Sequence, residues 1–396
     1  MSFPPLNTVK PECQSLLKEV FPLPLFAMRQ NIFSKSSRLH EIFKNERVLY
    51  PEFVPERLPF RDAQIDELVY AFKPLSEGRK TKNVFVFGST GTGKTVTVRF
   101  VLKELQEYSD RVRALYLNCF EKNSRHAVLV ELANFLGAAV PERGLSTAEI
   151  HSQFLESLKN CTFSPIIVLD EFDQLLANDG QELLYDLLRT TEQGLRAIPI
   201  VLVSNNAEIP AMLEQRVKSS LQASSLSFEP YTPTQLKEIL RQRADYAFNQ
   251  GVLEKEVVNV AAAHAARLGG DARIAIESLL NAGRIAEKEN SQKVCLKHLK
   301  QAFETVETSV GRKKLPLLSK EEKLLLRLIA ESEKGIDSGE LFSSFRKAGG
   351  KVSDRRFREV LSTLEKQKVV SATQSVKGRG KTRIFKLNVR KEAIGF

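Results

Sequence analysis

Four residues within a stretch of eight positions have types and spacing that suit phosphate binding. Gly88, Gly93, Lys94 and Thr95 satisfy the pattern G-x-x-x-x-G-K-[ST]. Glycines let backbone N–H groups converge on phosphate oxygens without a Cβ in the way. The lysine ammonium can reach the β- and γ-phosphates of a nucleotide, and the threonine hydroxyl can ligate Mg²⁺. The pattern predicts a nucleoside triphosphate site, and a chance match in a loop rich in Gly, Ser and Thr is the alternative.

The segments on either side of this loop favour the functional interpretation. Residues 84–87 form an apolar run typical of a buried strand, and residues 95–106 have a helical pattern. Such a helix points its positive N-terminus at the same anion. We therefore assign ATP contacts to the whole loop, which consists of Gly88, Ser89, Thr90, Gly91, Thr92, Gly93, Lys94, Thr95 and Val96.

Two carboxylates follow a second apolar run. Residues 165–169 lead into Asp170 and Glu171, well downstream of the phosphate loop. Asp170, together with Thr95, would hold Mg²⁺ directly or through water, and Glu171 would orient and polarise an attacking water. Two acids at a strand end are common on protein surfaces, so this assignment depends on the upstream loop. Further strands at 114–119 and 198–203 alternate with helical segments, which predicts a parallel sheet between two layers of helices.

Composition narrows the class of protein. A chain of 396 residues is long enough for two or three domains. It contains no run of about 18 apolar residues, so we expect no membrane span. The four cysteines lie far apart without a C-x-x-C pair, which is typical of a cytoplasmic protein rather than of a disulfide or zinc framework.

The net charge of +11 is distributed unevenly along the chain. Residues 311–396 contain 22 basic and 10 acidic side chains, a net charge of +12, whereas the preceding 310 residues have a net charge of −1. A solvated basic tail is one interpretation. The segment has apolar periodicity, however, which favours a folded polyanion-binding domain attached to a neutral ATPase.

The last 80 residues have the pattern of a winged helix. A helix predicted for 353–366 places Phe357, Val360, Leu361 and Leu364 on one face. Helix-turn-helix proteins insert the N-terminal part of such a helix into the major groove of DNA. We therefore assign DNA contacts to the exposed residues of this helix, which are Arg355, Arg356, Arg358 and Thr363.

Two β segments predicted at 369–373 and 383–387 follow this helix. The connection between them alternates glycines with cations, a composition that suits contact with phosphates or entry into a minor groove. A solvated, disordered loop is the alternative. The assigned DNA contacts are Lys377, Gly378, Arg379, Gly380, Lys381, Thr382 and Arg383.

The order of these motifs resembles that of AAA+ ATPases. The phosphate loop is followed by I-I-V-L-D-E, V-L-V-S-N, R-V-K-S-S-L and G-G-D-A-R, and then by the winged-helix pattern. From about residue 31 onward the chain resembles the archaeal replication initiators, which are relatives of the largest subunit of the eukaryotic origin recognition complex and of its helicase-loading partner. The resemblance implies an α/β AAA+ P-loop NTPase with an all-helical lid domain and a C-terminal winged helix. The implied domains are an arm at 1–30, a base at 31–229, a lid at 230–310 and the winged helix at 311–396.

The resemblance also implies roles for three polar residues. Asn205 takes the place of the first sensor, near the γ-phosphate, although a turn asparagine is the simpler interpretation. Arg216 falls at the arginine finger that reaches a neighbouring subunit's nucleotide, and a surface ion pair is its alternative. Arg273 takes the second-sensor position.

Arg273 also has a physical argument of its own. Gly269 and Gly270 break the chain, and Asp271 is a good N-cap, so Arg273 lies in the first turn of a helix. A cation there opposes the helix dipole, which suggests an anion nearby. An ion pair with a neighbouring acid is the alternative.

Two weaker assignments complete the set. Val54, Pro55 and Arg61 precede the phosphate-loop strand and either contact the nucleotide base or pack in the ordinary way. The family's initiator-specific helical insertion should lie within residues 120–147, where the basic candidates are Lys122, Arg125, His126 and Arg143.

Together with these patterns, the resemblance implies a DNA replication initiator that binds ATP or ADP with Mg²⁺ and hydrolyses ATP slowly as a switch. The implied partners are double-stranded origin DNA, a replicative helicase of the minichromosome maintenance type and paralogous initiators or further copies. We expect the protein in the cytoplasm, associated with the nucleoid. Two alternatives stay open, namely a transcriptional regulator that holds nucleotide as a structural ligand and a loader ATPase without origin preference.

Overall fold

The computed structural model describes residues 41–314, 319–332, 335–366, 370–377 and 380–387. The predicted N-terminal arm at 1–30 lies outside these residues, as do the wing residues Gly378 and Arg379. Within the described parts of the chain, no helix is both long enough and apolar enough to span a bilayer.

A five-stranded parallel sheet forms the centre of the first domain. Its strands are β1 (Val84–Gly88), β2 (Val112–Asn118), β3 (Ser164–Asp170), β4 (Ile200–Ser204) and β5 (Ser224–Phe228). They lie in the order β2-β3-β4-β1-β5 and all pair in parallel. The inner strands β3 and β4 are apolar and buried almost throughout, because helices cover both faces of a parallel sheet. The predicted parallel α/β fold is confirmed.

Within residues 41–229, eight α-helices connect and cover these strands. They are α1 (Asp62–Ser76), α2 (Lys94–Tyr108), α3 (Arg125–Phe135), α4 (Thr147–Asn160), α5 (Phe172–Leu176), α6 (Gly180–Leu188), α7 (Ile209–Met212) and α8 (Gln215–Leu221). Side chains of α1 and α2 pack in one hydrophobic cluster with the sheet, and those of α3 to α6 pack in another. Helix α6 is followed by a 3₁₀ turn at Thr190–Gln193.

An all-helical lid follows the sheet. Its helices are α9 (Pro233–Ala247), α10 (Lys255–Arg267), α11 (Ala272–Lys288) and α12 (Leu296–Lys314). Thr232 and Gln235 form the capping box at the start of α9, with a proline at the first helical position. The lid core also includes Ile42, Val48 and Leu49, from a segment that the domain prediction assigned to the base.

This upstream segment is fastened to the lid by a buried arginine. Arg243 of α9 donates to the carbonyl oxygens of Val48 at 2.8 Å and Phe53 at 3.4 Å. Its guanidinium carbon also lies 4.8 Å from the centre of the Phe53 ring. Burial lowers the pKa of Arg243 to about 10.

The described residues of the C-terminal part form three helices and a small antiparallel sheet. In chain order they are α13 (Lys320–Glu331), β6 (Ile336–Asp337), α14 (Ser338–Lys347), α15 (Asp354–Lys366), β7 (Val370–Lys377) and β8 (Gly380–Leu387). The sheet order is β6-β8-β7, and the side chains form a separate hydrophobic cluster. This element order is that of a winged helix.

The hairpin of β7 and β8 is longer than predicted. The segment expected to connect two short strands is mostly paired, with Val376 opposite Lys381 and Lys377 opposite Gly380. Ser, Thr and Val in this segment favour strand.

Candidate nucleotide site and nucleic-acid interface

The phosphate loop connects β1 to α2 in the conformation that its glycines permit. Gly91 and Gly93 have φ values of 69° and 89°, in the left-handed region that L side chains rarely adopt. Gly93 is the N-cap of α2, so the first turn of that helix faces the loop. A Cβ added at Gly91 would overlap the Asp271 carboxylate, so another residue at this position would displace that side chain from the loop.

Lys94 is held by three oxygen atoms. Its ammonium donates to the carbonyl oxygens of Gly88 at 3.0 Å and Ser89 at 2.8 Å, and to Asn205 Oδ1 at 2.9 Å. Burial lowers the pKa of Lys94 below its ordinary value, and the positive charge of Arg273 adds to this effect. An incoming phosphate would compensate a cation that the protein itself leaves poorly solvated.

Asp170 and Thr95 lie together as a Mg²⁺ site requires. The Thr95 hydroxyl donates to Asp170 Oδ2 at 2.7 Å, and the Tyr116 hydroxyl donates to the same oxygen. The described residues contain no cluster of three or more His, Cys, Asp or Glu side chains that could hold a metal alone. Mg²⁺ generally takes one or two protein oxygens and completes its shell with water and phosphate oxygens.

Glu171 adopts an unusual backbone conformation. Its φ and ψ are 53° and 42°, a left-handed geometry that costs a non-glycine residue roughly 1–2 kcal/mol. Asn205 donates from Nδ2 to Glu171 Oε2 at 2.8 Å, so Asn205 links Lys94 to Glu171. Burial raises the pKa of Glu171 above its ordinary value, and the charges of Asp170 and Asp173 add to the effect. A carboxylate with a raised pKa is a better general base.

The first turn of α11 lies against the phosphate loop. Asp271 caps this helix by accepting from the Arg273 backbone N–H at 2.8 Å, and the Ala272 N–H donates to the Gly91 carbonyl oxygen at 3.1 Å. The Arg273 side chain is more than half exposed, with Nε 3.9 Å from Asp271 Oδ1. The structure therefore places Arg273 beside the loop with only a loose ion pair.

Arg216 points away from this group of residues. It extends from α8, is 60% exposed, and pairs with Glu214 at 2.6 Å. Its guanidinium carbon lies 5.0 Å from the centre of the Tyr185 ring. Neither partner belongs to the phosphate loop, so the structure does not bring Arg216 to its own chain's site.

The three residues assigned to the base pocket differ in their surroundings. Pro55 is buried and Val54 is half-buried. Arg61 is buried beneath the phosphate loop, where it donates to the Thr92 carbonyl oxygen. Its donor groups thus contact loop backbone, and the assigned contact with a base stays a prediction.

Two tyrosines of the site were not predicted. Tyr116 lies on β2 and contacts Asp170 on the neighbouring strand, and burial raises its pKa well above the ordinary value. Tyr231 follows the last base-domain strand, with its hydroxyl directly beside Gly93. The signal for Tyr116 was present, since a polar residue within an apolar strand beside an acidic strand end requires a partner.

Arginines line the exposed side of α15, and each has an acidic partner. Glu359 accepts from Arg355 and Arg356, both at 3.2 Å, and Asp354 pairs with Arg358 at 2.5 Å. These side chains are 67–92% exposed, so the ion pairs are weak and can exchange for phosphate contacts.

The other assigned DNA contacts lie at the end of α15 and on the hairpin. Thr363 donates to the Glu359 carbonyl oxygen, and Arg383 donates to both carboxylate oxygens of Glu365, at 2.7 and 2.9 Å. Lys377 ends β7, and Gly380, Lys381 and Thr382 begin β8.

The basic candidates in the predicted insertion are largely paired within the domain. Lys122 lies 2.6 Å from Glu131, and Arg125 lies 2.7 Å from Asp186. His126 contacts Thr147 at 3.3 Å. These contacts give the three side chains structural partners inside the fold.

Comparison with known proteins agrees with this architecture. Residues 78–213 match the AAA domain family, and residues 237–304 match the Cdc6 AAA+ ATPase-type lid domain. The chain is 34% identical over 375 residues to the ORC1-type DNA replication protein 1 of Sulfurisphaera tokodaii, covering 92% of this chain and 94% of that protein. It is 37% identical over 380 residues to the ORC1-type DNA replication protein of Thermococcus kodakarensis, covering 91% of each.

A solved structure supports the same assignment. The Aeropyrum pernix ORC1 protein, determined in complex with DNA, is 34% identical to this chain and superimposes with a TM-score of 0.74. The match covers 89% of this chain and 96% of that one, so it includes sheet, lid and C-terminal elements together. Because both sequence and fold agree over nearly the whole length, the chain belongs to the family of ORC1-type DNA replication proteins.

Proposed function

We propose that this protein is an ATP-dependent replication initiator that binds double-stranded origin DNA. The observation that supports this most directly is the row of exposed arginines on α15, in a chain that also assembles a complete phosphate loop. The complex of the related Aeropyrum pernix ORC1 protein with DNA supports the same reading. Bound to DNA, the protein would be associated with the nucleoid in the cytoplasm.

ATP would bind at the loop with Mg²⁺ held by Thr95 and Asp170. The ion would neutralise phosphate charge, and Lys94 would donate to the phosphate oxygens. Glu171 would accept a proton from the attacking water while Asn205 holds its carboxylate in place, as the 2.8 Å hydrogen bond supports. Turnover would be slow, because Arg216 faces solvent instead of its own site.

The nucleotide would act as a switch, since loop and lid touch each other at Gly91 and Ala272. In one nucleotide state the protein would mark origins and help recruit or load a replicative helicase of the minichromosome maintenance type. Paralogous initiators or further copies would assemble beside it on DNA.

Footprinting on origin and random DNA, with ATP and with ADP, tests the proposal. An initiator protects a defined sequence, and the protection changes with the nucleotide. Equal protection of random DNA would instead indicate a loader ATPase without origin preference.

A transcriptional regulator that holds nucleotide as a structural ligand is the second candidate. The wide exposure of the α15 arginines fits either function, but the Asn205–Glu171 hydrogen bond favours hydrolysis. Glu171→Gln should bind ATP as the unchanged protein does and release phosphate roughly 100- to 10,000-fold more slowly. Equal phosphate release by both proteins would support a transcriptional regulator that holds nucleotide as a structural ligand.

A further inference from the structure

Arg61 connects the phosphate loop to the junction between base and lid. Its Nε and Nη2 donate to the Thr92 carbonyl oxygen at 3.0 and 2.8 Å. Nη2 also donates to the Glu229 carbonyl oxygen at 2.9 Å. Thr92 belongs to the loop, and Glu229 lies directly after the last base-domain strand, so one planar side chain spans both segments.

The surroundings of Arg61 are unusual for a buried cation. The side chain is 4% exposed, and its hydrogen-bond partners in the described structure are neutral carbonyl oxygens. The guanidinium carbon lies 3.9 Å from the centre of the Tyr231 ring and 5.4 Å from that of Phe228. A planar group with five N–H donors is suited to this role, because it can fix two carbonyl groups and stack on a ring at once.

The residue before Arg61 has a strained backbone. Phe60 has φ 64°, although it is bulky and 40% exposed, and its carbonyl oxygen accepts from Arg61 Nη1 at 3.2 Å. Left-handed geometry at such a residue is a genuine outlier. The fold tolerates this strain at the position that aims Arg61 under the loop.

The lid meets the same loop at two further points. A Cβ at Gly93 would lie 2.6 Å from the Tyr231 hydroxyl, and the Ala272 N–H donates to the Gly91 carbonyl oxygen. Tyr231 in turn packs against Gly270, just before the start of α11. Movement of the Thr92 carbonyl group would therefore reach the base–lid junction through Arg61.

We propose that Arg61 is a positioning residue that couples nucleotide occupancy of the phosphate loop to the order of the base–lid junction. It acts through the carbonyl groups of Thr92 and Glu229 and needs no contact with the nucleotide base. The inference rests on the proposed nucleotide binding and adds to it a route from the phosphates to the lid.

A second buried arginine offers a matched control. Arg243 is also nearly unexposed, donates to two carbonyl oxygens and stacks on an aromatic ring, but it fastens the segment at 42–53 to the lid. Arg61→Met and Arg243→Met remove the same groups from the two places. Arg61→Lys keeps the positive charge and loses the fork that spans two carbonyl groups, so it tests the geometry should Arg61→Met fail to fold.

Hydrogen exchange with and without saturating ADP measures the coupling in the full-length chain. In the unchanged protein, ADP should slow exchange in the loop at 88–95 and at the junction 228–232. In Arg61→Lys and Arg61→Met, ADP should still slow exchange in the loop but should no longer slow it at the junction. Both variants should bind ADP about 10-fold more weakly. Arg243→Met should lower the unfolding temperature, and ADP should still slow exchange in both the loop and the junction of this variant.

Three outcomes would contradict the proposal. In the first, ADP still slows hydrogen exchange at the junction in both Arg61 variants. In the second, Arg243→Met loses this slowing at the junction to the same extent. In the third, Arg61→Lys changes the preference for ADP over GDP. The last would mean that Arg61 contacts the base. If the unchanged protein shows no ADP-dependent slowing in the loop, it is the proposed nucleotide binding that fails.

Discussion

The buried charge that suits Lys94 to phosphate binding also lowers the stability of the folded protein. Its ammonium is buried, and its contacts are neutral oxygens of Gly88, Ser89 and Asn205. We expect Lys94→Met to weaken ATP binding roughly 10- to 100-fold, from the 1.5–3 kcal/mol of a hydrogen bond to a charged group. The same variant, without nucleotide, should unfold at the same temperature as the unchanged protein or higher. Calorimetry and a fluorescent nucleotide titration measure the two effects.

The lowered pKa of Lys94 determines how the stability difference between Lys94→Met and the unchanged protein varies with pH. The folded-state pKa of Lys94 is lowered from 10.5, so the folded protein binds this proton less tightly than the unfolded chain does. The resulting cost is fully present below the lowered pKa and disappears as pH rises to about 10.5. The stability advantage of Lys94→Met should therefore be largest near neutral pH and shrink in alkaline buffer. An advantage that grows with pH would contradict the assignment.

At the scale of elements, the start of α11 combines a helix cap with a contact to the phosphate loop. Asp271→Ala removes the side-chain oxygen that accepts from the Arg273 N–H and touches Gly91. We expect a loss of about 0.5–2 kcal/mol in the free energy of unfolding, together with weaker nucleotide binding. Denaturant titration and nucleotide titration measure these two quantities.

Ser146→Ala is the matched control for Asp271→Ala. Ser146 caps α4 in a capping box with Glu149, on a helix that packs on the opposite face of the sheet from α2. It should cost similar stability and leave nucleotide affinity unchanged. If both variants weaken nucleotide binding equally, the effect comes from general loss of stability.

The exposed arginines of helix α15 should contribute to DNA affinity through phosphate contacts. Arg355→Ala combined with Arg356→Ala should weaken binding to every DNA sequence. It should also reduce the slope of log affinity against log salt by up to about two, since each lost phosphate contact contributes about 0.9. Arg79→Ala with Lys103→Ala removes the same charge from exposed ion pairs of the base domain. If this control shows the same change in slope, net charge rather than α15 sets DNA affinity.

The sequence was informative where a short motif determines its own geometry. The phosphate loop, the acidic strand end and the apolar stripe of α15 could all be predicted, because neighbours in sequence form them. The packing of Val48 on the lid could not, because its partner Arg243 is 195 positions away. The left-handed backbone of Glu171 and the role of Arg61 depend on the assembled tertiary structure, which local patterns do not report.

At the scale of the whole molecule, separate cores leave room for movement between parts. The sheet, the lid and the C-terminal elements have hydrophobic clusters without common residues. The lid meets the phosphate loop through a few polar contacts, including that between Ala272 and Gly91. The nucleotide switch proposed above would therefore require changes in these polar contacts and none in the hydrophobic cores.

Arg216 is expected to act on the nucleotide of a neighbouring chain. It is exposed and pairs with Glu214, so the structure does not bring this side chain to the phosphate loop of its own chain. We expect Arg216→Ala to bind ATP normally and to lose any stimulation of hydrolysis by assembly on DNA, a loss of roughly 1,000-fold or more if the finger is essential. Phosphate release at increasing protein concentration measures this stimulation.

A mixing experiment decides whether Arg216 acts on a neighbour. Arg216→Ala retains a complete site without a finger, whereas Lys94→Met retains the finger without a working site. Each variant alone should be inactive, and their mixture on DNA should recover hydrolysis, because the arginine of the second can reach the nucleotide of the first. A mixture that stays inactive while both variants still assemble would mean that Arg216 serves only its pair with Glu214. The slow turnover proposed for the isolated chain would then need another cause.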